Sequence, residues 1–281
     1  MAGSIIWLAS YPKSGNTWLR LLLANLLADK EEAVDINEID LPHRSVVDHQ
    51  SFEDRFLIDT GLLTREEVDE LRPMIVEAVA AESKDDIYVK VHDAYRILKD
   101  GKPLLGHGHA RAALYVIRDP RDVAVSFAHH SGITIERAIE ILNDILSGLG
   151  GKRKSYAPQV PQILQDWSSH VESWTEQKDV PAHVIRYEDL HNDPISALRK
   201  AARFLNLEAP ETKVAHAVRC AGFSELQRQE QEADFCERSL KAAGPFFRSG
   251  RVGGWREVLT PEQQQSIIQA HQRVMARFHY I

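Results

Sequence analysis

Lys13, Ser14, Gly15, Asn16 and Thr17 stand together in Tyr-Pro-Lys-Ser-Gly-Asn-Thr-Trp, residues 11–18, and the grouping suits the holding of an anionic phosphate. A turn that opens a helix aims backbone N–H groups and the positive end of the helix dipole at one point, and Lys13 adds a full charge. The apolar run Ile5 to Ala9 suits a strand covered on both faces. Pro12 and Gly15 then punctuate the turn, and Ser14, Asn16 and Thr17 are good N-cap residues for a helix predicted over Trp18 to Ala28. The plainer alternative is a strand, turn and helix that bind nothing. Residue order distinguishes the loop from a Walker A sequence, in which the lysine follows the second glycine; here Lys13 precedes Gly15.

A second group lies in Arg118-Asp-Pro-Arg-Asp-Val-Ala-Val-Ser126, with an arginine at a predicted strand end and a serine in the helix that follows. The arginine fork matches phosphate oxygens and a serine hydroxyl adds a donor. The alternative is a structural Arg118 paired to a carboxylate near the helix start. His92 ends another predicted strand. Ligands of open α/β sheets gather at the carboxyl ends of strands, so Lys13, His92 and Arg118 are placed to converge there. A lone histidine at a strand end is otherwise a surface or structural residue. Phe246 to Arg256, Phe-Phe-Arg-Ser-Gly-Arg-Val-Gly-Gly-Trp-Arg, is basic, rich in glycine and too irregular for a helix interior. On its own it reads equally as a site or as an exposed loop.

The elements that must position these residues follow from periodicity and punctuation. Asp29 to Glu32 begins an acidic connector, and residues 33–63 read as mostly loop with short helical turns, a stretch able to shape an acceptor pocket. Thr64 and Glu67 form the pattern of a capping box for a helix to Glu82, with Val68, Leu71, Ile75 and Val79 on one face. Asp86 to Asp93 predicts a strand ending at His92, and Ala113 to Ile117 a buried strand before a helix over Arg121 to His130. Ile133 to Gly148 predicts a helix, and Gly150 to Pro161 a basic loop that is either a lid or solvated surface. Pro161 to Gln177 predicts a helix with Trp167, Val171 and Trp174 as core. A strand over His183 to Tyr187 and helices over Ile195 to Leu205 and Thr260 to Phe278 complete the pattern. With no internal repeat and no convincing linker, 281 residues predict a single α/β domain, a central parallel sheet flanked by helices, spanning 1–281.

Composition narrows the function. Hydrophobic residues at 43% and charged residues at 27% are those of an ordinary globule. A net charge of −7 gives no support to nucleic-acid binding, so any positive site is local. Two cysteines, Cys220 and Cys236, suggest no disulfide framework, the N-terminal residues lack the pattern of a signal peptide, and no run approaches about 18 apolar residues. A cytoplasmic protein without a membrane span is the expectation.

Tyr-Pro-Lys-Ser-Gly-Asn-Thr-Trp resembles the 5′-phosphosulfate loop of the soluble sulfotransferases, Tyr-Pro-Lys-Ser-Gly-Thr-Thr-Trp, with Asn16 in place of a threonine. That family transfers a sulfuryl group from 3′-phosphoadenosine 5′-phosphosulfate (PAPS), leaving the 3′,5′-bisphosphate (PAP). The segment from Arg118 to Ser126 resembles the family's 3′-phosphate motif, Arg-Asn-Pro-Lys-Asp-Val-x-Val-Ser. Phe246 to Arg256 is similar to its Arg-Lys-Gly-x-x-Gly-x-Trp segment, which implies that Arg248, Ser249 and Gly250 complete the nucleotide site; Ser249 replaces a lysine and removes one charge. Trp18, Tyr187 in Arg-Tyr-Glu-Asp-Leu and Phe223 in Ala-Gly-Phe-Ser-Glu-Leu occupy positions where the family holds adenine, though each also suits a core. Ala221 stands where relatives often carry a threonine that touches adenine.

Lys90-Val-His92 aligns with the family's Lys-Thr-His, whose histidine is the general base, and Asp93-Ala94 replaces its usual Leu-Pro. A histidine of ordinary pKa about 6.5 is available in neutral form to take an alcohol or phenol proton. Trp167-Ser-Ser-His-Val-Glu-Ser-Trp174 is similar to the family's Trp-x-x-His-Val-x-x-Trp helix, so the resemblance covers nearly the whole chain. It is weakest over residues 30–85 and 131–160, where substrates are selected. The carboxy-terminal pairing motif of many animal relatives is not matched at Arg256 to Thr260, and the oligomeric state stays open.

The resemblance implies in-line transfer to a small-molecule hydroxyl. His92 takes the acceptor proton, Lys13 and loop N–H groups stabilise charge on the leaving oxygen, and Lys90 stabilises the transferring group. Arg118, Ser126 and Arg248 hold the 3′-phosphate, and no metal is expected. Two other readings stay open: a P-loop kinase or NTPase, which needs a later lysine and an acidic magnesium ligand, and a regulatory protein that binds PAPS or PAP without catalysis.

Overall fold

The computed structural model describes residues 3–28, 30–39, 41, 46–106, 108–150 and 159–281. The first element is strand β1 (Ile5–Ser10), every residue of which is buried, and helix α1 (Asn16–Leu27) follows a short turn. Helices α2 (His49–Phe56) and α3 (Arg65–Ala81) precede β2 (Ile87–Val91) and β3 (Ala110–Ile117). Then come α4 (Pro120–Ser131), α5 (Ile135–Asn143), β4 (Gly148–Leu149), β5 (Gln162–Ile163) and α6 (Trp167–Glu176). The last part holds β6 (Ala182–Arg186), α7 (Tyr187–Asn192), α8 (Pro194–Phe204), α9 (Glu211–Cys220), α10 (Phe223–Ala233) and α11 (Pro261–Arg277).

The fold is α/β, a central four-stranded parallel sheet with helices around it, in the order β2-β1-β3-β6. β1 and β2 pair in parallel with Leu8 opposite Lys90 and Ala9 opposite Val91, so the register carries both strands toward Ser10 and His92. β4 and β5 form a separate antiparallel pair. The contacts group the chain into two compact units, each assembled from three stretches of sequence: 1–11, 42–115 and 145–183 in the first, and 12–41, 116–144 and 184–281 in the second. Neither unit is a contiguous segment, which is why no linker marks them in the sequence.

Local chemistry accounts for most boundaries. Thr64 accepts from the Glu67 N–H while Glu67 reaches back to Thr64, the capping box expected for α3, and Thr260 with Gln263 forms another at α11. The buried face of α3 is rotated from the expected one: Val68, Ile75 and Val79 are buried, but Leu71 is only half-buried, and Arg72 and Val76 lie inside. Arg72 enters the core because a carboxylate meets it there, a pairing that apolar periodicity cannot show.

Several expected elements are corrected. α1 begins at Asn16, and its N-cap is Gly15 with no side-chain hydrogen bond, so Ser14, Asn16 and Thr17 do not cap it. The described residues of 33–63 are, as expected, mostly loop with short helical turns, the longest being the two-turn helix α2, capped by Asp48, which accepts from the Ser51 N–H. The helix expected over Ile133 to Gly148 stops at Asn143 and the chain re-forms as β4. The helix expected from Pro161 begins at Trp167, because β5 occupies its first residues and Asp166 caps the start by accepting from the Ser169 N–H. Tyr187 opens α7 rather than ending β6. α9 and α10 had no counterpart in the sequence reading. Residues 151–158 of the candidate lid lie outside the described residues. No described helix is long and apolar enough to cross a membrane.

Candidate functional site

In the second unit, residues 12–15 form the turn expected to hold a phosphate. Lys13 has φ 67° and Gly15 φ 108°, so the chain takes two left-handed steps before α1. A Cβ at Gly15 would lie 2.6 Å from the Tyr187 ring, which restricts the position to glycine on both backbone and steric grounds. The Ser14 hydroxyl is fully buried and has no protein hydrogen-bond partner. The N-cap residue, Gly15, offers no side-chain cap. A buried hydroxyl, a helix N-terminus and Lys13 fit an anion such as phosphate. The Lys13 ammonium stands 3.9 Å from the centre of the Phe246 ring.

Arg118, just beyond β3, joins this loop to the glycine-rich segment. Its guanidinium donates to the Lys13 carbonyl at 3.3 Å and to the Arg251 carbonyl at 2.9 Å, and lies 4.2 Å over the Tyr187 ring. Its Nε is buried without a partner. The structural alternative, a carboxylate partner near the helix start, goes instead to Arg121, which donates to Asp119 at 2.8 Å.

The three aromatic residues expected around adenine meet one another or the same loop. Trp18 donates through its indole N–H to the Ala221 carbonyl at 2.9 Å and meets Tyr187 edge-on with ring centres 5.6 Å apart. Tyr187 donates its hydroxyl to the Gly250 carbonyl at 2.9 Å. A Cβ at Gly250, where φ is 59°, would lie 2.8 Å from the Phe223 ring. Position 221 therefore contributes its backbone oxygen to the aromatic cluster. Burial raises the Tyr187 phenol above its usual range, with nearby Arg118 opposing, so it stays a hydrogen-bond donor at neutral pH.

Arg248 and Ser249 are exposed, and Ser126 is half-buried on α4. His129, one turn beyond Ser126, has its pKa lowered by burial and then by the charges of Arg248 and Lys13. Thr17 is turned elsewhere: its hydroxyl donates to Glu237 at 3.4 Å, beside the Arg20–Glu237 ion pair at 2.6 Å.

Two residues that sequence reasoning missed hold the glycine-rich segment in place. Asp122 accepts the N–H groups of Gly253 at 2.7 Å and Trp255 at 3.0 Å, and Glu230 accepts those of Phe246 at 2.6 Å and Phe247 at 2.9 Å. Both carboxylates are buried. Burial raises the Asp122 pKa, with Arg118 and the two N–H donors opposing. Asp122 lies inside the Arg118–Ser126 motif, but nothing there marks it as an acceptor for distant N–H groups, and Glu230 sits in a helix with no distinguishing pattern.

The first unit holds His92 and Lys90. Strand alternation puts the two on one face of β2 and its continuation, and both are half-buried. His92 Nδ1 lies 2.8 Å from the Ser10 carbonyl oxygen. A carbonyl only accepts, so in the neutral ring the hydrogen is on Nδ1, and the lone pair of Nε2 is the basic site. The His92 carbonyl in turn accepts from His170 Nε2 at 3.0 Å, and His170 Nδ1 meets the Tyr115 hydroxyl at 2.9 Å. Burial lowers the His170 pKa to about 4, which keeps that ring neutral. His170 is a further residue to which the sequence assigns no role, although it stands between Trp167 and Trp174 in the motif quoted for the helix.

Asp93, next to His92, is fully buried and forms a two-point pair with Arg72, at 2.8 and 2.6 Å. Burial alone would lower the Arg72 pKa; Asp93 and Asp69 outweigh it and raise the pKa. Among the described residues no group of three or more His, Cys, Asp and Glu side chains is arranged to hold a metal ion.

Residues 4–279 match the model of the sulfotransferase domain. Luciferin sulfotransferase of Photinus pyralis is 25% identical over 272 residues, covering 92% of this chain and 68% of that protein. Cytosolic sulfotransferase 7 of Arabidopsis thaliana is 26% identical over 273 residues, with 93% and 76% covered. A mouse sulfotransferase crystallised with PAP superposes with a TM-score of 0.60 at 20% identity, covering 97% of this chain and 84% of that one. Retinol dehydratase in complex with androsterone and PAP gives 0.62 at 18% identity, with 98% and 81% covered. The two structures speak for the fold, and the domain match, which runs almost from end to end, places this chain in the sulfotransferase family.

Proposed function

We propose that the chain transfers a sulfuryl group from PAPS to a hydroxyl of a small-molecule alcohol or phenol. PAPS supplies the activated sulfuryl group and a 5′-phosphate leaving group. The observation that carries the reading is the turn before α1, where the buried Ser14 hydroxyl lacks a protein partner beside a helix start whose N-cap is a glycine. Ser14, Gly15, Asn16, Thr17 and Lys13 hold the 5′ end, with Lys13 stabilising the leaving oxygen. Arg118, Ser126, Arg248, Ser249 and Gly250 hold the 3′-phosphate, and Trp18, Tyr187 and Phe223 hold the base. The names of the relatives, which include sulfotransferases and proteins crystallised with PAP, support the donor.

His92 is the general base in this reading. The Ser10 carbonyl fixes the ring with hydrogen on Nδ1, so Nε2 takes the acceptor proton. Lys90, on the same strand face, stabilises the oxygens of the transferring group. Reaction requires no metal ion, since lysine, arginine and backbone N–H groups supply the charge stabilisation. The protein works in the cytoplasm, as the cytosolic naming of plant relatives suggests.

The test is transfer of label from ³⁵S-labelled PAPS to a panel of phenols, sterols and aliphatic alcohols, run beside PAP and 5′-AMP calorimetry. Labelled ester and tight PAP binding are expected. Tight PAP binding without transfer to any hydroxyl, or to water, would make the chain a nucleotide-binding regulator. Equal affinity for PAP and 5′-AMP would overturn the 3′-phosphate assignment.

A further inference from the structure

His92 and the residues after it are held through four backbone groups. The His92 carbonyl accepts from His170 at 3.0 Å, the Asp93 carbonyl accepts from the Trp174 indole at 2.9 Å, and the Tyr95 N–H donates to the Ser173 hydroxyl at 2.9 Å. The Ala94 N–H donates to the Ile163 carbonyl at 2.8 Å. Asp93 Oδ1 accepts the N–H of that same Ile163 at 3.2 Å. Both polar backbone groups of Ile163 are therefore engaged by the two residues following the base, one through a side chain and one through the main chain. A leucine at 93 offers no acceptor, and a proline at 94 has no N–H, so this clamp belongs to the Asp93-Ala94 pair of this chain.

The Asp93 carboxylate can stay inside the protein because of α3. Arg72, also fully buried, occupies both carboxylate oxygens, and the ladder continues through Asp69, 3.7 Å from Arg72, to Arg96 at 2.8 Å. Two arginines and two aspartates balance in formal charge. The fork fixes direction as well as charge, because a two-point guanidinium–carboxylate pair tolerates little rotation.

We propose that the buried Arg72–Asp93 pair, clamped to Ile163, is a positioning device for His92, holding its main chain so that Nδ1 keeps the Ser10 carbonyl and Nε2 remains the basic nitrogen. The proposal rests on the reading of His92 as the base. Arg72 and Asp93 are positioning residues: they reach the base only through the peptide that joins residues 92 and 93.

Ring-nitrogen NMR of the full chain, ¹⁵N-labelled at histidine and saturated with PAP, tests this directly. The His92 signals are assigned by their loss in His92→Gln. In the native protein His92 shows the pattern of hydrogen on Nδ1 alone. Replacing both partners by apolar residues of similar size, Arg72→Met with Asp93→Leu, removes the charges together and preserves packing. In that variant the His92 shifts move toward an average of the two tautomers. Turnover of phenol by the variant falls 10-fold or more, with PAP affinity within threefold of native. Asp93→Asn, which keeps the shape and one acceptor, gives a smaller shift in the same direction and serves if the double variant does not fold.

A folded variant whose His92 keeps hydrogen on Nδ1 alone would overturn the proposal and leave the pair a stabilising contact only. Failure of the base reading looks different: His92→Gln would then retain turnover whatever Arg72 and Asp93 do.

Discussion

Arg118 donates to the carbonyl oxygen of Lys13 at 3.3 Å, so the arginine expected to grip one phosphate also fixes the loop expected to grip the other. With its second bond to Arg251 and its place over Tyr187, one side chain ties together the loop, the glycine-rich segment and the aromatic cluster. A nucleotide with phosphates at both ends thus meets groups that are already linked, which limits the ordering that binding must impose.

Arg118→Lys removes the planar fork while keeping the charge. Each charge-assisted hydrogen bond lost is worth roughly 1.5–3 kcal/mol, so PAP affinity should fall about 10- to 100-fold. Affinity for 5′-AMP, which lacks the 3′-phosphate, should fall much less. Calorimetry on the two nucleotides checks the difference, and equal losses would mean that Arg118 acts only on the loop.

Gly250→Ala tests the cradle from the other side. The new Cβ would come 2.8 Å from the Phe223 ring at a residue with φ 59°. A left-handed conformation costs a non-glycine residue roughly 1–2 kcal/mol, and the aromatic ring must also move. PAP affinity should fall about 10-fold, with a small loss of melting temperature. Unchanged affinity would place adenine away from Phe223.

Transfer should survive a large excess of EDTA. The expected charge stabilisers are Lys13, Lys90 and loop N–H groups, none of which chelation removes. Lys13→Ala should weaken donor binding and turnover together, because its charge acts on the ground state and on the leaving oxygen. Loss of activity in EDTA with recovery on added magnesium would point to an NTPase-like site.

The sequence made one half of the site plain and hid the other. Lys13 and Gly15 stand out because a phosphate-holding turn needs a charge, a bend and a helix start within a few consecutive residues, and Arg118 stands out because it follows a buried strand in a short motif of its own. Asp122 and Glu230 do not, because a carboxylate that accepts two distant backbone N–H groups leaves no local pattern. Arg72 is the clearest miss. Its helix was read from apolar spacing, which put Leu71 inward, whereas pairing with Asp93 turned Arg72 into the core. Short elements failed for a related reason: β4 and β5 have two residues each and exist through each other, so neither has its own periodicity. The capping box at Thr64 was legible because its chemistry is contained within four consecutive residues.

Acid should destabilise the fold through His170. Its folded pKa is lowered by burial to about 4 from 6.5, so the unfolded chain binds the extra proton first as pH falls. Its contribution is complete above pH 6.5 and is lost progressively as pH drops toward 4, by up to roughly 3 kcal/mol. Urea midpoints measured across this range should fall with pH, and His170→Gln should flatten that slope. An unchanged slope in the variant would assign the acid sensitivity to other groups.

His92→Ala separates binding from chemistry. The substitution leaves the phosphate loop, Arg118 and the aromatic cluster intact, so PAP affinity should stay within about threefold, whereas turnover of an un-ionised phenol should drop roughly 10²–10⁴-fold, the usual worth of a general base. An acceptor that is already ionised, such as 4-nitrophenol in mildly alkaline buffer, carries no proton to remove and should recover a large part of the lost rate. His92→Gln should behave like alanine, since an amide at this position can still face Ser10 but cannot take a proton at neutral pH. The comparison of the two acceptors is the informative measurement: a variant that merely loosens the fold would slow both alike. Near-native turnover of the un-ionised phenol by His92→Ala would remove His92 from the mechanism and leave the donor site unaffected.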